Sequence, residues 1–260
     1  MAQGDGQLRR LSQEVPQAEG LKPDAVGIER IPAWDLPTRV FHWTLVALVV
    51  CAWASFEFSE TFGDDRLVWH RWNGLVLLTV IVWRVLWGFA GPGHVRFASF
   101  VRGPGAALSY ARDLVRGVPR RFLGHNPLGG LIVVALLALV GTIGTLGLFA
   151  LEENDLATGP LYRYAGEAWA KVATSWHRFL FEPVLLVLAA LHISANVFYS
   201  VFKRDPLITA MITGKKPDAA YEDIALSAPI AHPVRRALVL LLIAASIVFG
   251  GIMALGGKLP

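Results

Sequence analysis

WHRFLFEPVLLVLAALHISANVFYS, residues 176–200, places two histidines, His177 and His192, in one apolar stretch. The stretch is long enough to cross a hydrocarbon core of about 30 Å, which takes about 20 helical residues. Ionisable groups at that depth are costly and need a partner, so both histidines are functional candidates. Their separation of fifteen residues is roughly 22 Å along a helix, and fifteen steps of 100° return to within about 60° of the same face. One helix can therefore present two imidazoles to a shared interior, one near each membrane surface.

The stretch is one of five of comparable length, at residues 40–58, 68–90, 128–151, 177–202 and 234–255. Hydrophobic residues make up 54% of the 260 and charged ones 17%, with a mean hydropathy of +0.49. That composition belongs to a polytopic, all-helical integral membrane protein and excludes an ordinary soluble domain. Nine tryptophans fit the same reading, because amphipathic indoles collect at membrane interfaces and around large flat ligands. A net charge of +4 and a pI near 9.4 do not indicate nucleic acid, since the basic residues lie in short connections between apolar stretches. The lone cysteine, Cys51, leaves no internal disulfide, no covalent haem attachment and no cluster-binding set.

Those connections orient the chain. Residues 91–126 carry Arg96, Arg102, Arg112, Arg116, Arg120 and Arg121, and residues 203–236 carry Lys203, Arg204, Lys215, Lys216, Arg235 and Arg236. The alternate connections are acidic, with Glu57, Glu60, Asp64 and Asp65 in one and Glu152, Glu153, Asp155 and Glu167 in the other. Lys and Arg resist translocation, so the amino terminus is expected in the cytoplasm and the carboxyl terminus outside. Residues 1–30 are polar, lack the layout of a signal peptide and read as a mobile cytoplasmic tail. The expected division is this tail, a four-helix core over 31–205, and a cytoplasmic loop with an additional transmembrane helix over 206–260.

In that topology His42 begins the first span on the cytoplasmic side and His70 begins the second on the outer side. His177 is then level with His70, and His192 with His42. Two same-height imidazole pairs suit bis-histidine haem, in which a low-spin iron with both axial positions filled changes charge with little rearrangement. Zinc fits less well, because neither depth supplies the three or four ligands it needs. Haem propionates need cations near the surface, and Arg39, Arg71 and Arg178 lie beside the ligand candidates, with interfacial snorkelling as the alternative for each. Gly74, Gly141, Gly144 and Gly147 admit either a porphyrin or a neighbouring helix. His94, His125 and His232 fall in cytoplasmic connections. His94 and His232 are expected to be solvated or interfacial, and His125 to cap the third span or line a quinone or proton route. Glu182, before Pro183, is a proton handle or faces an outer cavity.

At WDLPTRVFHW (34–43), VWHRWNGLVLLTVIVWRVLWGF (68–89), GHNPLGG (124–130) and the 176–200 stretch, the chain resembles the bacterial cytochrome b561 superfamily. Within it, the similarity is to the b-type cytochrome subunits of nickel-iron hydrogenases and other dehydrogenases. The resemblance covers about residues 31–205. It implies a four-helix haem-binding bundle in the inner membrane, here followed by a fifth C-terminal transmembrane helix. It also implies two non-covalent b haems with His42, His70, His177 and His192 as axial ligands, and electron exchange between a periplasmic redox protein and membrane quinone. Two other functions are expected to compete. One is a stand-alone oxidoreductase acting on superoxide or ferric iron at the outer haem, and the other is a colourless transporter or scaffold whose histidines bind protons or metal.

Overall fold

The computed structural model describes residues 29–64, 66–152, 157–226 and 230–260. The tail through residue 28, and Asp65, Glu153 and Asp155, lie outside the described residues.

The first helix, α1 (Leu36–Glu57), starts where Asp35 accepts hydrogen bonds from the Thr38 amide at 2.8 Å and hydroxyl at 2.9 Å, with Pro37 preset in the first turn. Helix α2 (Val68–Ala90) starts under Asp64, whose carboxylate accepts from the Val68 and Trp69 amides at 2.9 Å each. Two short helices follow, α3 (Phe97–Phe100) and α4 (Pro104–Val115). Helix α5 (Pro127–Gly147) is capped by Asn126, which accepts from the Gly129 amide at 2.7 Å.

The fourth span comprises α6 (Tyr162–Phe179) and α7 (Leu186–Val201), joined by a wide π-helical turn over residues 180–185 that contains Pro183. Proline cannot donate to the helical ladder, and the wider turn accommodates the missing bond. After α8 (Leu207–Thr213), the fifth span runs through α9 (Pro233–Ala245), a second π turn and α10 (Gly251–Ala254). All five apolar helices expected from the sequence are present. The fourth starts well before residue 177, and the third stops at Gly147, where Leu148 to Leu151 turn back toward Thr158 and Gly159.

Helix α2 is the hub: it packs against α1, α5 and α9, while α5 packs against α6. Asn73 ties α2 to α1 through the Leu48 carbonyl (2.9 Å), and the Trp83 indole ties it to α9 through the Ala237 carbonyl (2.9 Å). The core runs between them, with Trp83 stacked on Trp87 and Phe41 at 5.5 and 5.6 Å. The outward faces remain apolar, as a lipid-facing bundle requires.

The two basic connections fold onto one another as a cap over one end of the bundle. Residues Arg30–Pro32 (β1) pair antiparallel with Lys215–Pro217 (β2), and the Ala33 and Trp34 amides donate to the Gly214 carbonyl. Lys216, with none of its surface exposed, donates to Asp205 and to the Phe122 carbonyl at 2.9 Å each. Asp223 accepts from the Leu123 and Gly124 amides at 2.6 and 2.9 Å. Arg120 grips Glu222 through two 2.8 Å bonds, and Tyr110 meets Tyr199 at 2.9 Å.

Candidate functional site

His70, in the first turn of α2, and His177, near the end of α6, face each other with ring centroids 6.1 Å apart. The Nδ1 of His70 donates to the Ala52 carbonyl on α1 (2.9 Å), and the Nδ1 of His177 to the Ile143 carbonyl on α5 (2.8 Å). A carbonyl acceptor fixes the tautomer, leaving Nε2 as the lone-pair nitrogen, and it is the usual way a metal-binding imidazole is oriented. Both rings line a cavity of about 680 Å³ whose walls are mostly apolar, among them Trp53, Phe56, Val140 and Phe181. That volume suits a sizeable apolar ligand with a few fixed polar contacts.

The glycines sort into two classes. A side-chain carbon on Gly144 would sit 2.8 Å from Leu78, and one on Gly141 3.4 Å from Ile81, so these two allow α5 to approach α2. At Gly147 it would sit 3.3 Å from the His177 ring. At Gly74 it would meet nothing within 4 Å, and Gly74 lines the cavity one turn after His70 on the same face of α2. Gly74 is therefore a cradle that a side chain would fill, beside a pair of imidazoles, and this fits a flat macrocycle with two axial positions.

Arg71 and Arg178 both line this cavity. Arg178 pairs with Glu152 at 3.0 Å and lies 5.3 Å from the Phe56 ring centroid, while the Nε of Arg71 is buried without a hydrogen-bond partner. Glu182, in the π turn, lines the same cavity, on the cavity side of the two roles read for it from the sequence.

His42 on α1 and His192 on α7 come together at the capped end, close enough to interact electrostatically. Their surroundings differ from those of the first pair. The Nδ1 of His42 is buried without a hydrogen-bond partner, and the Nε2 of His192 lies 3.3 Å from the Asn196 amide, which also donates to the His192 carbonyl at 2.7 Å. Arg39 donates to the Ile212 carbonyl at 2.6 Å, so part of its guanidinium is committed to the cap. Among the described residues no group of three or more His, Cys, Asp or Glu side chains converges as a site for a bare ion.

Three loop histidines depart from, or extend, the sequence reading. His94 is buried, not solvated, because the cap closes over it and Trp34 packs on its ring at 5.6 Å. Asn126, not His125, caps α5, and His125 instead packs against Trp34 at 4.8 Å and Phe100 at 4.6 Å. Burial pushes both imidazoles down from their ordinary pKa, His125 to about 3, so both are neutral at neutral pH. His232 is exposed, in a left-handed conformation immediately before α9. Arg84, buried in the middle of α2, escaped the sequence reading although an arginine inside a span is itself a signal.

The family model described as prokaryotic cytochrome b561 matches residues 33–214, which take in both histidine pairs and all but the fifth span. The chain belongs to the prokaryotic cytochrome b561 family. It is 25% identical over 221 residues to a probable Ni/Fe-hydrogenase B-type cytochrome subunit of Bradyrhizobium diazoefficiens, covering 74% of this chain and 88% of that protein. Proteins of the same description from Rhizobium leguminosarum bv. viciae and Azotobacter chroococcum are 24% and 23% identical. They cover 76% and 70% of this chain and 95% and 86% of their own lengths. No solved structure matches the chain. As a cytochrome b561 homologous to hydrogenase b-type cytochrome subunits, it is a multi-pass membrane electron carrier that uses haem b.

Proposed function

We propose that this cytochrome b561 holds two b haems, one between His70 and His177 and one between His42 and His192. It carries electrons across the bacterial inner membrane between a periplasmic redox protein, of hydrogenase or dehydrogenase type, and membrane quinone. The observation that carries the reading is the His70–His177 pair: two facing imidazoles, each set by a backbone carbonyl, beside a glycine-cradled cavity. When bound there, haem iron supplies one-electron chemistry with no ligand exchange.

The chain's own residues then have defined tasks. Ala52 and Ile143 hold the imidazoles in the tautomer whose Nε2 faces inward. The apolar walls would keep water from the two imidazoles, and Arg71 and Arg178 offer positive charge in the lining of the cavity. The basic cap supports a cytoplasmic location for the His42 end and a periplasmic one for the His70 end. The relatives' names support a hydrogenase-type partner, and the orientation read from the basic connections puts it on the periplasmic side.

The test is a dithionite-reduced minus oxidised spectrum with a pyridine haemochrome assay on the detergent-purified chain. Two b haems per polypeptide are expected. One haem would leave a single histidine pair in use, and none in folded protein would sink the proposal.

A further inference from the structure

We infer that Arg84, His94 and His125 form a carboxylate site that receives a propionate of the haem held by His42 and His192, an inference that rests on the function proposed above. Arg84 lies on α2 fourteen residues after His70, roughly 21 Å along the helix, which brings it level with His192. Its side chain is 2% exposed, and its guanidinium lies over the Phe97 ring at 5.1 Å and near the Phe41 ring, next to His42, at 6.0 Å. One amino group donates to the Val95 carbonyl at 3.3 Å. The other is buried without a hydrogen-bond partner, and Arg84 has no ion pair among the described residues.

Asp35 lies within electrostatic reach of Arg84 and His94, and Asp223 of His94, but neither hydrogen-bonds to the cluster: Asp35 accepts from Thr38 and Asp223 from the Leu123 and Gly124 amides. Both ring nitrogens of His94 and the Nδ1 of His125 are likewise buried without hydrogen-bond partners. Trp34 packs on both His94 and His125, Arg84 bonds the carbonyl of Val95 next to His94, and His125 is within electrostatic reach of Arg84, His94, Lys216 and His192, so the three groups lie together near the inner ligand pair.

Buried polar groups are satisfied as a rule, and a buried charge left unpaired is strongly destabilising. This cluster supplies one guanidinium and, with both histidines neutral, one N–H from each ring. What completes it is an acceptor-rich anion. A quinone carbonyl brings one acceptor oxygen to three donor groups. A lipid phosphate would have to pass Trp34 and Phe100, which pack on the His125 ring. A propionate has two acceptor oxygens and a negative charge, and it arrives attached to a ring that His192 would already hold.

The test uses the full-length holoprotein with haem labelled with ¹³C at the propionate carboxylates. Reduced-minus-oxidised infrared spectra and a spectroelectrochemical titration are recorded for wild type, Arg84→Gln, Arg84→Lys and His125→Gln. The expected result is that Arg84→Gln shifts an isotope-sensitive carboxylate band and lowers the inner haem's midpoint potential while the outer one stays. Arg84→Lys should recover part of the potential but not the band position, because an ammonium restores charge without the planar fork. If Arg84→Gln loses the inner haem alone, the band shift is read in Arg84→Lys and His125→Gln. Unchanged labelled bands in every variant that retains the haem would overturn the inference, even if the potential moved, because charge acts at a distance. Loss of both haems in all three variants would also overturn it, making the cluster a folding element. A wild-type chain without haem would instead overturn the proposed function.

Discussion

Gly74 gives a prediction whose sign depends on whether a cofactor is present. An added methyl at this position meets nothing within 4 Å, so Gly74→Ala costs no packing in the empty protein. Replacing glycine by alanine inside a helix then gains about 1 kcal/mol, which raises the melting temperature by roughly 2–4 °C in a chain of this size class. With a macrocycle seated beside His70, the same methyl points into the occupied part of the 680 Å³ cavity. Overpacking of that kind costs about 1–3 kcal/mol, which weakens retention by about 5- to 150-fold. Haem-depleted Gly74→Ala should therefore melt higher than depleted wild type, while the loaded variant loses haem faster to an excess of apomyoglobin. Gly74→Leu extends the intrusion and should leave about half the wild-type haem in a pyridine haemochrome assay. A Gly74→Leu protein that keeps every haem at unchanged potentials would place Gly74 outside the cofactor's reach and refute the reading of the cavity.

Other outcomes follow from the same geometry. Replacing His70 or His177 by glycine should remove one haem and spare the other, and equal loss of both from folded protein would break the pairing. Arg178→Ala should move the potential of the haem at the His70 end more than that of its partner, and a redox titration with both midpoints unchanged would return Arg178 to a surface ion-pairing role with Glu152. The hydrogen bonds from Arg120 hold Glu222 below the usual carboxylate range. Its contribution is therefore complete above about pH 4.3 and is lost as pH falls through the lower folded value. The pair is largely exposed, so less than about 1 kcal/mol is involved; acid denaturation of Glu222→Gln should have a shallower limb, and an identical limb counts against the pair. Lys216→Ala should cost about 3–5 kcal/mol by stranding Asp205, visible as early proteolysis of residues 203–226. Resistance equal to wild type would show that the cap holds without its buried lysine.

The five spans and the levels of the four histidines were legible because both depend on local rules: hydrophobic length and rise per residue. The cap was not, because its decisive contacts join segments some 185 residues apart, as in the pairing of Ile31 with Lys216. In the sequence the basic residues of both connections report orientation, and nothing in a run such as GKKPD tells the buried Lys216 from its exposed neighbour Lys215. The same long-range closure turns His94 and His125 from apparent loop residues into parts of a buried polar cluster. Arg84 is a different case. A mid-span arginine between tryptophans at 83 and 87 was visible all along, and its depth alone demands partners. The nearby carboxylates are engaged elsewhere: Asp35 caps α1 and Asp223 holds the Leu123 and Gly124 amides. A fold that uses its local acids as caps while burying a guanidinium beside two neutral imidazoles leaves those donors to be completed from outside the polypeptide.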